Sequence, residues 1–308
     1  MIKIFKNNVD NFNLIEVKNI EKDTWINLIN PSDEEIKKVA KELDIDVKKI
    51  KQVLVEKELP RVKKYDSFTL IIINIPYMKD KDIKNKYVTY PLGIILTKNN
   101  ILTFSIVENV FLNEFEDVDL TKRKEFLLNI LLNSARVYLK TLESIDEDIQ
   151  KREKSSYNAT DNKLLINFLN IQKTLVYFIT SLHANKAVLE KLQIEDTFKF
   201  NKKESMILED AIIENKQCIE TSTVYREILS STVETYSSIV SNNLNVLMKF
   251  LAGITIVFSI PTMIASFLGM NVPLGELGDN PASFALIILI SLIISLFIAW
   301  WLKKRNML

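Results

Sequence analysis

The feature that most constrains this chain is a pair of uncharged apolar runs near its C-terminal end, Phe250 to Leu268 and Ala282 to Leu302. As helices rising about 1.5 Å per residue, each is long enough to cross a hydrocarbon core of about 30 Å. Charges mark their outer ends: Lys249 precedes the first run, and Lys303, Lys304 and Arg305 follow the second. Trp300 and Trp301 stand where a span would meet the membrane interface. The connecting stretch LGMNVPLGELGDNP has two acids and no Lys or Arg. By the positive-inside rule both chain ends face the cytoplasm and the loop faces out. Soluble cores rarely hold two such runs, so a multi-pass protein of the cytoplasmic membrane is expected.

The rest of the chain reads as a soluble body. Its 40 Lys+Arg nearly balance 39 Asp+Glu, which argues against a nucleic-acid partner. One cysteine, Cys218, leaves no internal disulfide and fits a cytoplasmic body. The N-terminal stretch MIKIFKNN lacks the apolar region of a cleavable signal. With only five Gly and seven Pro, long disordered linkers are not expected.

Residues 1 to about 30 suggest short strands at Ile2–Phe5, Leu14–Val17 and Trp25–Leu28. Asn30-Pro31 breaks the pattern, and Ser32 with Glu35 forms a capping box opening a helix to about Leu43. A second helix is expected over Val47–Lys57, ended by Pro60. Strand signals follow at Val62–Tyr65, Phe68–Ile75, Val88–Leu96 and Ile101–Ile106, with a hairpin turn at Asn99-Asn100. The runs LIIINI and LGIIL suit central strands buried on both faces. Beyond Val110 the pattern turns helical, over about Thr121–Ser155, Asp161–Leu192 and Glu204–Leu268. The last would be 65 residues and about 97 Å long, and must pack against something along its course. Small and polar residues recur along one stripe of it: Ser231, Glu234, Ser238, Ser241 and Asn245, continuing through Met248. The stripe fits either a solvated face or a water-filled axis shared by several copies. Two spans per chain cannot enclose a conducting path alone.

Gly269-Met270-Asn271 directly follows the first span, and Asn242-Asn243-Leu244-Asn245-Val246-Leu247-Met248-Lys249 precedes it. Pro261 lies inside that span, and the basic KKR tail ends the second. Together these resemble the CorA family of divalent-cation channels, the magnesium transporters. The layout matches over the whole chain, most strongly from about Ile207 to Leu308, and through LPRVKKYDSFTLIII and PLGIILTKNN nearer the N-terminus. Some details depart from the family pattern. Leu268 replaces the aromatic that often precedes the motif, Pro261 stands one residue closer to it, and Glu276 lies in a Pro-Leu-Gly-Glu-Leu context.

The resemblance implies an α+β membrane protein assembled as a funnel-shaped homopentamer in the lipid bilayer. Residues 1–108 would form a cytoplasmic α/β domain, 109–203 a cytoplasmic helical region and 204–268 a long stalk and pore helix. An extracytoplasmic loop (269–281), a second transmembrane helix (282–302) and a basic cytoplasmic tail (303–308) complete the layout. Carried over by position, Gly269, Met270 and Asn271 form the selectivity filter, and Thr262, Ser259, Leu251, Met248 and Asn245 line the pore inward from it. Leu251 and Met248 match the family's hydrophobic gate. Cytosolic Mg2+ would bind between subunits and hold the channel shut, through Asp210 and an acid of the neighbouring α/β domain, Asp80 or Asp82.

These residue types suit that chemistry. Mg2+ gives up its water reluctantly, and a ring of Asn271 amide oxygens can accept from its first-shell water without stripping it. Glu276 and Asp279 would raise the cation concentration at the outer mouth. Met248 and Leu251 offer no oxygen and can close a constriction by dewetting. A divalent ion entering down an inside-negative potential of about 100 mV gains about 4.6 kcal/mol, so no nucleotide is required. No phosphate-binding loop is present, and no organic cofactor or catalytic constellation is expected. His183 is the sole histidine, and Cys218 reads as a packed thiol. A Co2+, Ni2+ or Zn2+ transporter of the same family, or a non-conducting membrane-anchored helical scaffold, are the alternatives. With no Cys or His at the expected pore positions, ligand softness favours Mg2+.

Overall fold

The computed structural model describes residues 1–8, 13–55, 58–79, 86–115, 118–155, 162–194, 198–270, 281–305 and 307. Contacts divide the chain into two units, Met1–Val233 and Glu234–Leu308.

The first unit is built on a mixed seven-stranded sheet of order β2-β1-β3-β7-β6-β5-β4. The strands are β1 (Ile2–Asn7), β2 (Leu14–Glu16), β3 (Thr24–Ile29), β4 (Arg61–Lys64), β5 (Phe68–Met78), β6 (Tyr87–Thr97) and β7 (Ile101–Ser105). The β3–β7 join is parallel, and the others are antiparallel. After β3, Asn30 takes a positive φ of 40° and Ser32 caps α1 (Asp33–Glu42). The Glu35 amide donates to Ser32 Oγ at 3.2 Å, and the Ser32 amide donates to Glu35 Oε2 at 2.8 Å, the expected capping box. Helix α2 (Val47–Lys51) is capped by Asp46 and is shorter than its sequence pattern. Its end tightens through Val53 N–H to Ile50 O and Leu54 N–H to Lys51 O, both 3.2 Å, while Val53 is buried completely.

Side chains alternate across the strands, as a period of two demands. Leu70 and Ile72 of β5 share a core with Ile36, Val39, Ile50 and Val53 of the short helices. Ile71, Ile73 and Ile75 share the opposite core with Phe126, Leu127, Leu131, Val188, Leu192 and Leu208. Those last residues belong to three long helices: α3 (Arg123–Ser155), α4 (Asn162–Ile194) and α5 (Lys202–Leu268). Both faces are covered, so the apolar runs of β5 and β6 read as central strands. Polar ties hold α5 to its neighbours in this unit: Asn215 Nδ2 donates to Leu182 O at 3.1 Å, and Cys218 Sγ to Ala135 O at 3.3 Å.

Two features of the sheet were not visible in the strand pattern. Phe104 of β7 lies flat over Gly93 of β6, where an added Cβ would sit 2.3 Å from the ring. Asn74 of β5 turns its N–H and carbonyl to the β4 side, two residues past Ile72, where the β4 pairing ends. The α-helical layer fills the gap. Asn74 N–H donates to Asn185 Oδ1 at 2.8 Å, and Asn74 O accepts from Asn185 Nδ2 at 2.7 Å and from Tyr138 OH at 3.2 Å.

The second unit holds the C-terminal part of α5 and α6 (Pro281–Lys304). Both helices are long and apolar enough to cross a membrane, and only 6% and 17% of their apolar windows are buried, unlike core helices of a soluble protein. Pro261 sits inside α5 and cannot donate to the Val257 carbonyl. At the far end of α6, Lys304 lies over the Trp300 ring (5.6 Å) and Arg305 over the Trp301 ring (4.8 Å). Such amphipathic ends suit a membrane interface.

Candidate functional site

The expected pore residues fall on one side of α5. Asn245, Met248, Leu251, Ser259 and Thr262 are all exposed. At about 100° per residue, Met248, Leu251, Ser259 and Thr262 lie within an arc of about 80°, and Asn245 about 40° beyond it. The opposite side of α5 is covered: Gly253 is buried, and Val257, Ile260, Ile264 and Leu268 are half-buried. Helix α6 buries Ser291, Ser295 and Leu302 in turn. In a unit of two helices these are the sides on which they meet, and the small residues Gly253, Ser291 and Ser295 permit close approach. The expected pore residues therefore point away from α6.

Their polar groups are organised locally. Ser259 Oγ donates to Thr255 O at 2.7 Å, and Thr262 Oγ1 to Phe258 O at 3.1 Å. Intrahelical donation of this kind satisfies the hydroxyl proton and leaves the oxygen's acceptor side outward. Thr255 and Ser266 occupy the same exposed side and were not singled out from the sequence, although each stands four residues from Ser259 or Thr262 and so carried the signal. An open groove of about 600 Å³ follows this side, lined by Thr255, Ser259, Thr262 and Ser266 with Ile254, Phe258, Met263 and Phe267.

Helix α5 ends at Leu268, where Gly269 N–H donates to Ala265 O at 3.0 Å and Met270 N–H to Phe267 O at 3.4 Å. Gly269 and Met270 are exposed. Asn271, Glu276 and Asp279 lie outside the described residues, as do Asp80 and Asp82. Asp210 is exposed and makes no ion pair among the described residues. No group of three or more His, Cys, Asp or Glu gathers among the described residues. Asp210 alone does not make a metal site within one chain.

Other polar groups are structural. Asp148 of the acidic stretch is half-buried, and its Oδ2 accepts from Lys86 Nζ at 2.5 Å and Tyr87 OH at 3.0 Å, tying α3 to β6. The Cys218 thiol is pushed up to about 12, first by burial and then by Glu214, so it is a poor nucleophile. His183 is exposed.

Comparison with known proteins matches this architecture. A family model described as CorA-like Mg2+ transporter protein fits residues 21–304. The cobalt/magnesium transport protein CorA of Methanocaldococcus jannaschii is 29% identical over 291 residues, covering 92% of this chain and 90% of its own. The protein of the same name from Thermotoga maritima is 25% identical over 260 residues, 80% of this chain and 73% of its own. The complete structure of the CorA magnesium transporter from M. jannaschii superposes with a TM-score of 0.83 at 27% identity, over 97% of this chain and 96% of that one. With a family match running through the sheet, the long helices and both apolar spans, this chain belongs to the CorA-like Mg2+ transporter family.

Proposed function

We propose that the protein is a homopentameric Mg2+ channel of the cytoplasmic membrane, with both termini in the cytoplasm, rather than an enzyme. The observation that carries this reading is the arrangement of α5. Its expected pore residues form one exposed side, and α6 covers the other. Between residues 241 and 250 every side of α5 is exposed, including Leu244, Val246, Leu247 and Met248. Apolar exposure on this scale requires other copies or lipid. A ring of copies, each turning α6 outward, would enclose a path lined by Asn245, Met248, Leu251, Ser259 and Thr262.

Asn271 would ring the outer mouth beside Gly269 and Met270, and accept hydrogen bonds from the ion's first-shell water. Neutral amides hold a divalent ion less tightly than carboxylates, which favours release into the pore. Glu276 and Asp279 gather cations outside it. Met248 and Leu251 form a dewettable constriction at the cytoplasmic end. The membrane potential drives entry, worth about 4.6 kcal/mol for a divalent ion at about 100 mV.

Asp210, with Asp80 or Asp82 of a neighbouring copy, would hold a regulatory Mg2+. Facing carboxylates repel without a bridging cation, so low cytosolic Mg2+ loosens the contact between copies and favours opening. The relatives are named for cobalt beside magnesium, and Co2+ is the second cargo of this reading.

Expression in cells that lack their own Mg2+ uptake provides the test. Growth at low Mg2+ should return with the wild type and fail with Asn271→Ala at equal membrane abundance. Growth with neither would contradict the reading, and growth with both would remove Asn271 from the filter.

A further inference from the structure

We infer, on the reading of α6 as a lipid-facing span that ends in the cytoplasm, that its C-terminal end is a binding site for the headgroup phosphate of an anionic phospholipid. Lys304 and Arg305, held over the rings of Trp300 and Trp301, form the site. Ser291, Ser295 and Leu302 mark the covered side of α6. At about 100° per residue, Phe297, Trp300 and Lys304 fall within an arc of about 60° on the opposite side, and Trp301 and Arg305 occupy the adjoining flank. All five are exposed.

Lys304 Nζ lies 5.6 Å from the centre of the Trp300 ring, and the Arg305 guanidinium 4.8 Å from that of Trp301. Each cation stands four residues beyond its ring, about 6 Å further along the axis. The headgroup layer of a bilayer is about 5 to 8 Å thick on each side, so rings at the hydrocarbon boundary put both cations at the level of the phosphates. Neither cation has an ion-pair partner among the described residues, so both keep N–H donors for an anionic oxygen. The indole N–H groups of Trp300 and Trp301 likewise have no acceptor among the described residues. The arrangement also selects against a zwitterionic headgroup. A choline cation is drawn to an indole face, but the chain's own cations already cover one face of each indole and repel it. A phosphate whose headgroup carries no balancing cation meets no such repulsion, and the cytoplasmic leaflet is the one that carries anionic lipid.

The tryptophans themselves report the outcome. The full-length protein is reconstituted at low salt in mixtures of phosphatidylglycerol and phosphatidylcholine, with bromine on the chains of one lipid or the other, and quenching of tryptophan fluorescence is read. Trp300 and Trp301 meet the brominated chains, while Trp25 is buried in the first unit and adds a constant signal. Phosphatidylglycerol should be favoured about fivefold or more, as expected for cations at a lipid surface. Lys304→Gln combined with Arg305→Gln should lower the preference below about twofold. Lys303→Gln should keep most of it, since Lys303 is exposed and stands over no ring among the described residues. Equal quenching by the two lipids would overturn the site and leave an ordinary lipid-facing span. A loss in Lys303→Gln as large as in the double variant would also overturn it, leaving only diffuse surface charge. Absence of quenching by either lipid would remove the lipid-facing reading of α6 and this inference with it.

Discussion

Asn185→Leu is the substitution whose consequence follows most directly from the structure. The Asn74 N–H and carbonyl lie on the edge of β5 that faces β4, past Ile72, where the β4 pairing ends, so no strand pairs them. Asn185, only 4% exposed, stands in for the missing strand partner by accepting from Asn74 N–H at 2.8 Å and donating to its carbonyl at 2.7 Å. Leucine has a similar volume, so the change removes polarity more than packing. The Asn74 N–H is then stranded, at about 1–3 kcal/mol. The Asn74 carbonyl keeps the Tyr138 hydroxyl at 3.2 Å and loses less. The sum is about 2–4 kcal/mol of destabilisation.

Ser181→Ala is the comparison. Its Oγ accepts from Asn74 Nδ2 at 3.3 Å and donates to Thr89 Oγ1 at 3.2 Å, so its removal should cost about 1 kcal/mol. Urea unfolding in detergent would be followed through Trp25, which is 1% exposed, in a background carrying Trp300→Phe and Trp301→Phe. At a slope of about 2 kcal/mol per M, the Asn185→Leu midpoint should drop by about 1–2 M. A midpoint shift below about 0.3 M would refute the claim that Asn185 completes the ladder.

Three further outcomes follow. Gly93→Ala should destabilise the first unit by about 1–3 kcal/mol, because the Phe104 ring is fully buried and cannot move away; Phe104→Leu in the same chain should recover part of the loss by thermal melting. Glu35 is held below the ordinary carboxylate range, first by the Ser32 amide and then by the N-terminal amine. A depressed folded-state value means that its contribution is present above the usual Glu value and lost as pH falls through the folded one. Glu35→Gln should therefore destabilise by about 0.5 kcal/mol at pH 7, and the difference from wild type should shrink in acid unfolding curves as pH falls below the ordinary glutamate range. Cys218, raised to about 12 by burial, should resist alkylation at about pH 8 and react only in denaturant; rapid native labelling measured by mass would contradict its packing.

Much of the fold was legible because local and global signals agreed. The Ser32–Glu35 box placed the start of α1, and the β-branched run LIIINI marked a strand buried on both faces. The long helices and the two spans followed from periodicity and from the absence of charge. Other features depend on residues far apart in sequence. Pro76 and Pro91 argue against central strands on propensity alone, yet both lie in paired central strands. What rescues Asn74 is an asparagine 111 positions away, which no local pattern announces. Helix α2 ends at Lys51, and Val53 just beyond it is buried in the core. On α5, the opposition of the hydroxyl side to the α6 side becomes visible only once both helices are in place. The sequence alone offered Ser259 and Thr262, and the geometry adds Thr255 and Ser266 to their side.

The most direct test of the account is Mg2+ entry into liposomes holding the purified full-length protein, read by an internal dye under an imposed potential. An inside-negative potential should produce rapid entry that grows with voltage and falls as Mg2+ rises on the side of the soluble body. Absence of voltage-dependent entry for Mg2+ and Co2+ alike, from protein that remains folded and assembled, would contradict it.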